Sequence, residues 1–139
     1  MLFKCDIDVR YGETDKMGIV YHSRYFDWFE VARSEALKEL QLSYSEIENL
    51  GILMPIIDCF CNFKRPARYG DRVVVETEVT SLGFAKCRFD YHVYNSSGIL
   101  LAVGYTVSGF VDTNFKPINL KKTFPEVYSV LTKLRGESR

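Results

Sequence analysis

The sequence predicts an α+β fold in which helices cover one side of an antiparallel sheet. Three observations carry that expectation. The run from Ser23 to Leu40 contains neither Pro nor Gly and repeats its apolar residues at helical spacing. Beyond Ile52 the period changes to two, in segments of strand length. Between two of those segments stands Asn95-Ser96-Ser97-Gly98, a strong hairpin signal.

Taken in order, Leu2–Arg10 is a half-buried strand, because Phe3, Cys5, Ile7 and Val9 share one face while Lys4, Asp6, Asp8 and Arg10 share the other. The long helix follows. On a helical wheel Tyr25, Phe26, Trp28, Phe29, Ala32, Ala36, Leu37 and Leu40 fill about half the circumference, a face wide enough to be wrapped by a curved sheet. Arg33 falls inside that apolar arc and needs a partner; Glu30, three residues earlier on the helix, is the expected one. Leu42–Leu50 reads as a short second helix, with Ser43 and Glu46 as a capping box and Gly51 as its stop.

Ile52–Lys64 is a strand that begins at an edge or bend beside Pro55, and Arg65–Asp71 is a turn. Asp71–Leu82 alternates, with Val73, Val75, Thr77 and Val79 on one face, and Phe84–Tyr94 continues in the same way to the hairpin and a last strand, Ile99–Val111. These form a three-stranded meander. Phe124–Leu134 closes the chain as a helix with Pro125 near its first turn, and the last four residues, GESR, read as a frayed tail.

The 139 residues suit one domain spanning 1–139, and 47% hydrophobic with 26% charged residues is ordinary globular composition. A formal net charge of zero argues against a general nucleic-acid binder or a membrane-surface protein. No apolar run has signal-peptide or membrane-span length, so the expected location is the cytoplasm. The four cysteines, Cys5, Cys59, Cys61 and Cys87, are too scattered for a disulfide scaffold and read as small buried or interface hydrophobes. Neither they nor His22 and His92 offer metal-ligand spacing. The absence of G-x-S-x-G, G-x-x-x-x-G-K-[ST] and G-x-G-x-x-G sets aside the α/β-hydrolase route and the common nucleotide loops.

The chemistry concentrates between Tyr11 and Arg33, where a loop carrying Asp15 between Gly12 and Gly18 runs directly into the start of the long helix. A helix start has unpaired amides and the positive end of the macrodipole, so it polarises a carbonyl aimed at it. The amides around Tyr21, His22 and Ser23 are the candidates. A carboxylate folded back beside them can attack that carbonyl or deprotonate a water that does. The alternative for Asp15 is a turn cap; for His22, a structural hydrogen bond in place of orienting water or assisting a leaving group. Lys64, Arg65 and Arg68, with Lys86 and Arg88 on the next hairpin, are candidate contacts for a nucleotide's phosphates, each alternatively a solvated surface charge.

From Arg10 to Arg33 the chain reads R-Y-x-E-T-D-x-x-G-I-V-Y-H-x-x-Y-x-x-x-F-E-x-A-R, and R-P-A-R-Y-G-D follows from Arg65 to Asp71. Both stretches resemble the hot-dog-fold acyl-CoA thioesterases of the 4-hydroxybenzoyl-CoA thioesterase and YbgC type. That resemblance implies an antiparallel sheet wrapped around one central helix, and a homodimer or homotetramer that hydrolyses an acyl-CoA at a subunit interface. It implies no cofactor, coenzyme A being part of the substrate. The acid of the family maps onto Asp15 and its polarising amide onto the helix start near His22, beside Tyr21. Two rival functions remain: a thioesterase acting on acyl carrier protein, docked by a basic patch, and a non-catalytic acyl-binding or scaffold module.

Overall fold

The computed structural model describes residues 2–135; the expected frayed tail at 136–139 lies outside the described residues. The chain runs β1 (Phe3–Asp8), a 3₁₀ turn (Tyr11–Glu13), α1 (Arg24–Glu39), α2 (Tyr44–Asn49), β2 (Ile56–Phe63), β3 (Arg72–Leu82), β4 (Lys86–Asn95), β5 (Leu100–Gly109), α3 (Leu120–Thr123) and α4 (Pro125–Arg135). The strands form one five-stranded antiparallel sheet in the order β1-β3-β4-β5-β2. The meander β3-β4-β5 occupies its centre, as the alternation predicts. The 3₁₀ turn and α3 are additions to the expected order.

The inward residues of the meander, among them Val73, Val75, Val79, Phe89, Tyr91 and Val93, are all buried. Onto them α1 lays Trp28, Phe29, Ala32, Ala36 and Leu37. The two alanines keep the helix axis close to the sheet, and the Phe29 ring stacks on Tyr91 at 4.2 Å with the planes 4° apart. Gly104 on β5 makes room for that ring: a Cβ there would lie 2.7 Å from it and 2.5 Å from the Phe60 carbonyl. Ser43 and Glu46 cap α2 reciprocally, and α4 contributes Val127, Leu131 and Leu134 to the same core.

One expectation is corrected. Arg33 is buried, but Glu30 is exposed and is not its partner. The guanidinium Nε donates to the Tyr44 hydroxyl, and Nη1 donates to Tyr91 Oη at 3.0 Å and Thr106 Oγ1 at 3.3 Å. The reason is direction: Arg33 points from α1 into the sheet, whereas Glu30 points to solvent. Burial opposes the charge, but the Tyr91 and Tyr44 oxygens outweigh it and raise the Arg33 pKa above its ordinary value.

β2 follows Pro55 at the sheet edge and is unusual in leaving both faces open, with Ile56, Ile57, Phe60 and Phe63 exposed. Cys59, on the same strand, is exposed too, whereas Cys5 and Cys61 are half-buried and Cys87 is buried. No described helix is long and apolar enough to cross a membrane.

Candidate active site

The segment before α1 is a miniature hairpin. Thr14 bridges Val20, the Asp15 N–H donates to the Ile19 carbonyl at 2.9 Å, and the Gly18 N–H donates back to the Asp15 carbonyl at 2.9 Å. Gly18 takes φ +78°, a left-handed turn conformation that costs a residue without a side chain little. Asp15 Oδ1 accepts the Met17 N–H at 2.8 Å, so the carboxylate does cap its turn. That contact also fixes its orientation.

A second segment holds the hairpin from outside. The Val20 N–H donates to the Ala67 carbonyl at 2.8 Å, and Ile19 bridges Arg68. The Arg65–Asp71 turn, closed by Gly70 at φ +89° and by the Arg68 N–H donating to Asp71 Oδ2 at 2.8 Å, is therefore packed directly on the Asp15 loop. Two motifs some fifty residues apart become one structure.

At the start of α1, the Tyr21 N–H is consumed by the Glu13 carbonyl at 2.8 Å, so Tyr21 is not a source of a free amide. The amides of Arg24, Tyr25 and Phe26 are turned back onto the carbonyls of Tyr21, His22 and Ser23. The Ser23 side chain makes no cap bond, and the N–H groups of His22 and Ser23 find no acceptor among the described residues. Two open donors thus sit at the positive end of a 16-residue helix. The arrangement can hold an oxyanion.

Asp15 and His22 line one cleft of about 330 Å³, with Ile19, Tyr25, Phe63, Lys64, Arg65 and Pro66. Its wall is aromatic: the Phe63 ring meets Tyr25 edge-on at 5.0 Å and His22 at 6.4 Å. Burial raises the Tyr25 pKa, with a backbone hydrogen bond from Ala67 opposing it, so this phenol stays neutral. The Tyr21 side chain is exposed and lies against the His22 ring at 4.3 Å.

The basic candidates divide. Lys64 and Arg65 line the cleft, and Arg68 is exposed on the adjoining turn. Lys86 and Arg88 are not brought to it. The Lys64 N–H bonds to Leu101 on β5 while Lys86 pairs with Gly109, eight residues further along, which places them about 26 Å apart at the rise of a strand. Arg88 is also engaged, with both Asp90 oxygens at 2.9 and 3.0 Å and with the Tyr105 ring at 3.9 Å. His92 is on the outer sheet face beside Tyr94, away from the cleft.

Glu13 was not singled out by the sequence reading, yet it is buried at 4% exposure. Its Oε1 accepts the Arg10 N–H at 2.8 Å and its Oε2 accepts Trp28 Nε1–H at 3.0 Å. The available signal was Trp28 itself: an indole in the middle of an apolar face needs a buried acceptor. Nothing in the local pattern marks Tyr25, Phe63 and Pro66 as cleft wall.

A sheet wrapped on a central helix, with an acid loop against the open start of that helix, defines a hot-dog-fold enzyme of thioester chemistry. The chain belongs to the thioesterase superfamily, whose model matches residues 17–102. It is 39% identical over 133 residues to YneP of Bacillus subtilis strain 168, provisionally named an acyl-CoA thioesterase, covering 95% of this chain and 96% of that one. To the acyl-CoA thioester hydrolase YbgC of Escherichia coli O157:H7 it is 28% identical, covering 88% and 92%. The crystal structure of a DHNA-CoA thioesterase from Staphylococcus aureus superposes with a TM-score of 0.91 at 35% identity, covering 96% of this chain and 91% of the other.

Proposed function

We propose that this chain hydrolyses the thioester of an acyl-CoA to the free acid and CoA. The observation that carries the reading is the meeting, in one cleft, of Asp15 with the uncapped start of α1. The thioester oxygen takes the His22 and Ser23 N–H groups, which hold the negative charge that develops on it. Asp15 either attacks the carbonyl carbon, expelling the CoA thiolate and leaving a mixed anhydride for water to open, or removes a proton from the water that attacks. Either route ends in a carboxylate and a thiol. His22 lies where it can orient that water or protonate the departing sulfur.

Lys64 and Arg65, at the rim of the cleft, suit the phosphates of CoA, with Arg68 next to them. Self-association as a homodimer or homotetramer is part of the reading: β2 is an edge strand with exposed Ile56, Ile57, Phe60 and Phe63, and its end supplies the cleft wall. A cytoplasmic location goes with it, in keeping with four free thiols. The aromatic wall of Tyr25 and Phe63 suits an aromatic acyl group.

The test is thiol release from short aliphatic, long aliphatic and aromatic acyl-CoAs and from an acylated carrier protein, by the native chain and by Asp15→Asn. Turnover of a CoA ester that falls at least about 100-fold in the folded variant supports the reading. Full activity in Asp15→Asn removes Asp15 as catalyst. Turnover of the carrier protein alone, or binding without turnover, transfers the function to the rival readings.

A further inference from the structure

Glu13 does not line the cleft, and its carboxylate is too deeply enclosed to meet a substrate. It grips α1 at Trp28 and the residues leading into α1 at Tyr21. Its side chain holds Trp28, one turn into the helix, and its main-chain carbonyl holds the Tyr21 N–H just before the first turn, at 3.0 and 2.8 Å. The other carboxylate oxygen holds the Arg10 N–H at 2.8 Å, and Arg10 Nη2 closes on the same group at 3.8 Å. Each carboxylate oxygen therefore accepts one N–H, from Arg10 and from Trp28.

We infer that Glu13 is the positioning residue of the thioesterase site, setting the distance between the Asp15 carboxylate and the His22 and Ser23 amides; this rests on the function proposed above. Asp15 hangs two residues beyond Glu13, and His22 one residue beyond Tyr21, which Glu13 holds. Without that clamp, the two reacting halves would keep the main-chain bonds of the short Asp15–Ile19 hairpin and lose the tie from the loop to Trp28 in α1. Consuming the Tyr21 amide also decides which donors stay open.

The test compares kcat and KM of the full chain, on its best acyl-CoA, for native, Glu13→Gln, Glu13→Asp and Trp28→Phe, each also in the Asp15→Asn background. Glu13→Gln leaves one carbonyl oxygen for two N–H donors, and Trp28→Phe deletes only the indole donor. Since misplacement by about 1 Å costs about 100-fold, both should lower kcat roughly 10- to 100-fold with KM within about twofold. On Asp15→Asn the same changes should cost less than about threefold, because a residue acting through Asp15 has little left to act on. Glu13→Asp should restore part of the loss over Glu13→Gln. If Glu13→Gln fails to fold, Trp28→Phe carries the comparison. Unchanged kcat in the folded variants, or equal fold losses in both backgrounds, overturns the inference while leaving Asp15 in place; an Asp15→Asn enzyme of native activity overturns both.

Discussion

Gly104→Ala adds a single methyl group where α1 presses on the sheet. The new Cβ would lie 2.5 Å from the Phe60 carbonyl oxygen and 2.7 and 2.8 Å from two Phe29 ring carbons. Comfortable carbon contacts are about 3.5–4.0 Å, so one side must retreat by about 1 Å. Phe60 is main chain of β2, paired with Tyr105 across β5. Phe29 has no exposed surface and is stacked on Tyr91, which is itself hydrogen-bonded to Thr106 at 2.7 Å and to Arg33. With neither neighbour free to move, the cost falls at the upper end of the range for overpacking, about 3 kcal/mol. For a chain of this length that is a Tm lower by roughly 10 °C. Far-UV circular dichroism melts at neutral pH check it, with Gly12→Ala as the control. Gly12 has nothing within 4 Å of a built Cβ and no left-handed φ, so that change should be neutral or slightly stabilising. Adding Phe29→Leu to Gly104→Ala should cost at least about 1 kcal/mol less than the sum of the two single changes. A Gly104→Ala protein melting within about 2 °C of native would refute the reasoning.

Two further outcomes follow from buried groups. Arg33→Met should cost about 1–3 kcal/mol, the penalty for leaving the Tyr44 hydroxyl unpaired, since Tyr91 and Thr106 retain each other at 2.7 Å. Arg33→Lys should cost more, because an ammonium keeps the desolvated charge and loses the fork that reaches both sides; urea midpoints decide, and a near-native lysine variant contradicts it. Burial pushes the Cys87 thiol up to about 12, with Arg33 opposing, against an ordinary value of 9.0. The folded state therefore keeps a proton that the unfolded chain releases. That stability is complete below pH 9 and is lost between pH 9 and about 12, to a total of about 4 kcal/mol. Melting temperatures should hold to pH 8.5 and drop by pH 10.5, with a shallower drop in Cys87→Ala; equal slopes in the two proteins would exclude Cys87 as a source.

What was legible in the sequence was what is local. The alternation in Asp71–Leu82 and Phe84–Tyr94 places the buried faces of β3 and β4, because a strand's period is its burial pattern. Ser43 and Glu46 specify a cap within four residues, and it forms. Asp15 and His22 are seven residues apart, so one motif carries both. Arg33 fails for the same reason that these succeed: the nearest opposite charge along the helix is not the nearest group in space, and Tyr91 and Thr106 lie 58 and 73 residues away. Glu13 escapes because its use depends on Trp28 turning its N–H toward the loop, which helical periodicity does not encode. Gly104 is a glycine inside an alternating strand, and only the Phe60 carbonyl and the Phe29 ring packed against it explain why no side chain fits.

The site has two structural origins, and they divide its labour. Asp15, His22 and Ser23 belong to a hairpin and helix start tied together by short-range bonds, with Glu13 as their common support. Phe63, Lys64 and Arg65 arrive some forty residues later on the end of β2, and their position depends on the register of β2 against β5, which places Phe63 opposite Ala102. In the proposed reaction the bond-making groups are therefore those fixed by the loop, and the surface assigned to acyl chain and phosphates is the one fixed by an edge strand. An edge strand such as β2, with Ile56, Ile57, Phe60 and Phe63 exposed, accepts change more readily than a buried carboxylate does. It follows that altering β2 should move KM and acyl preference while leaving kcat on a small ester nearly intact, whereas altering the Glu13 clamp should move kcat for every ester alike.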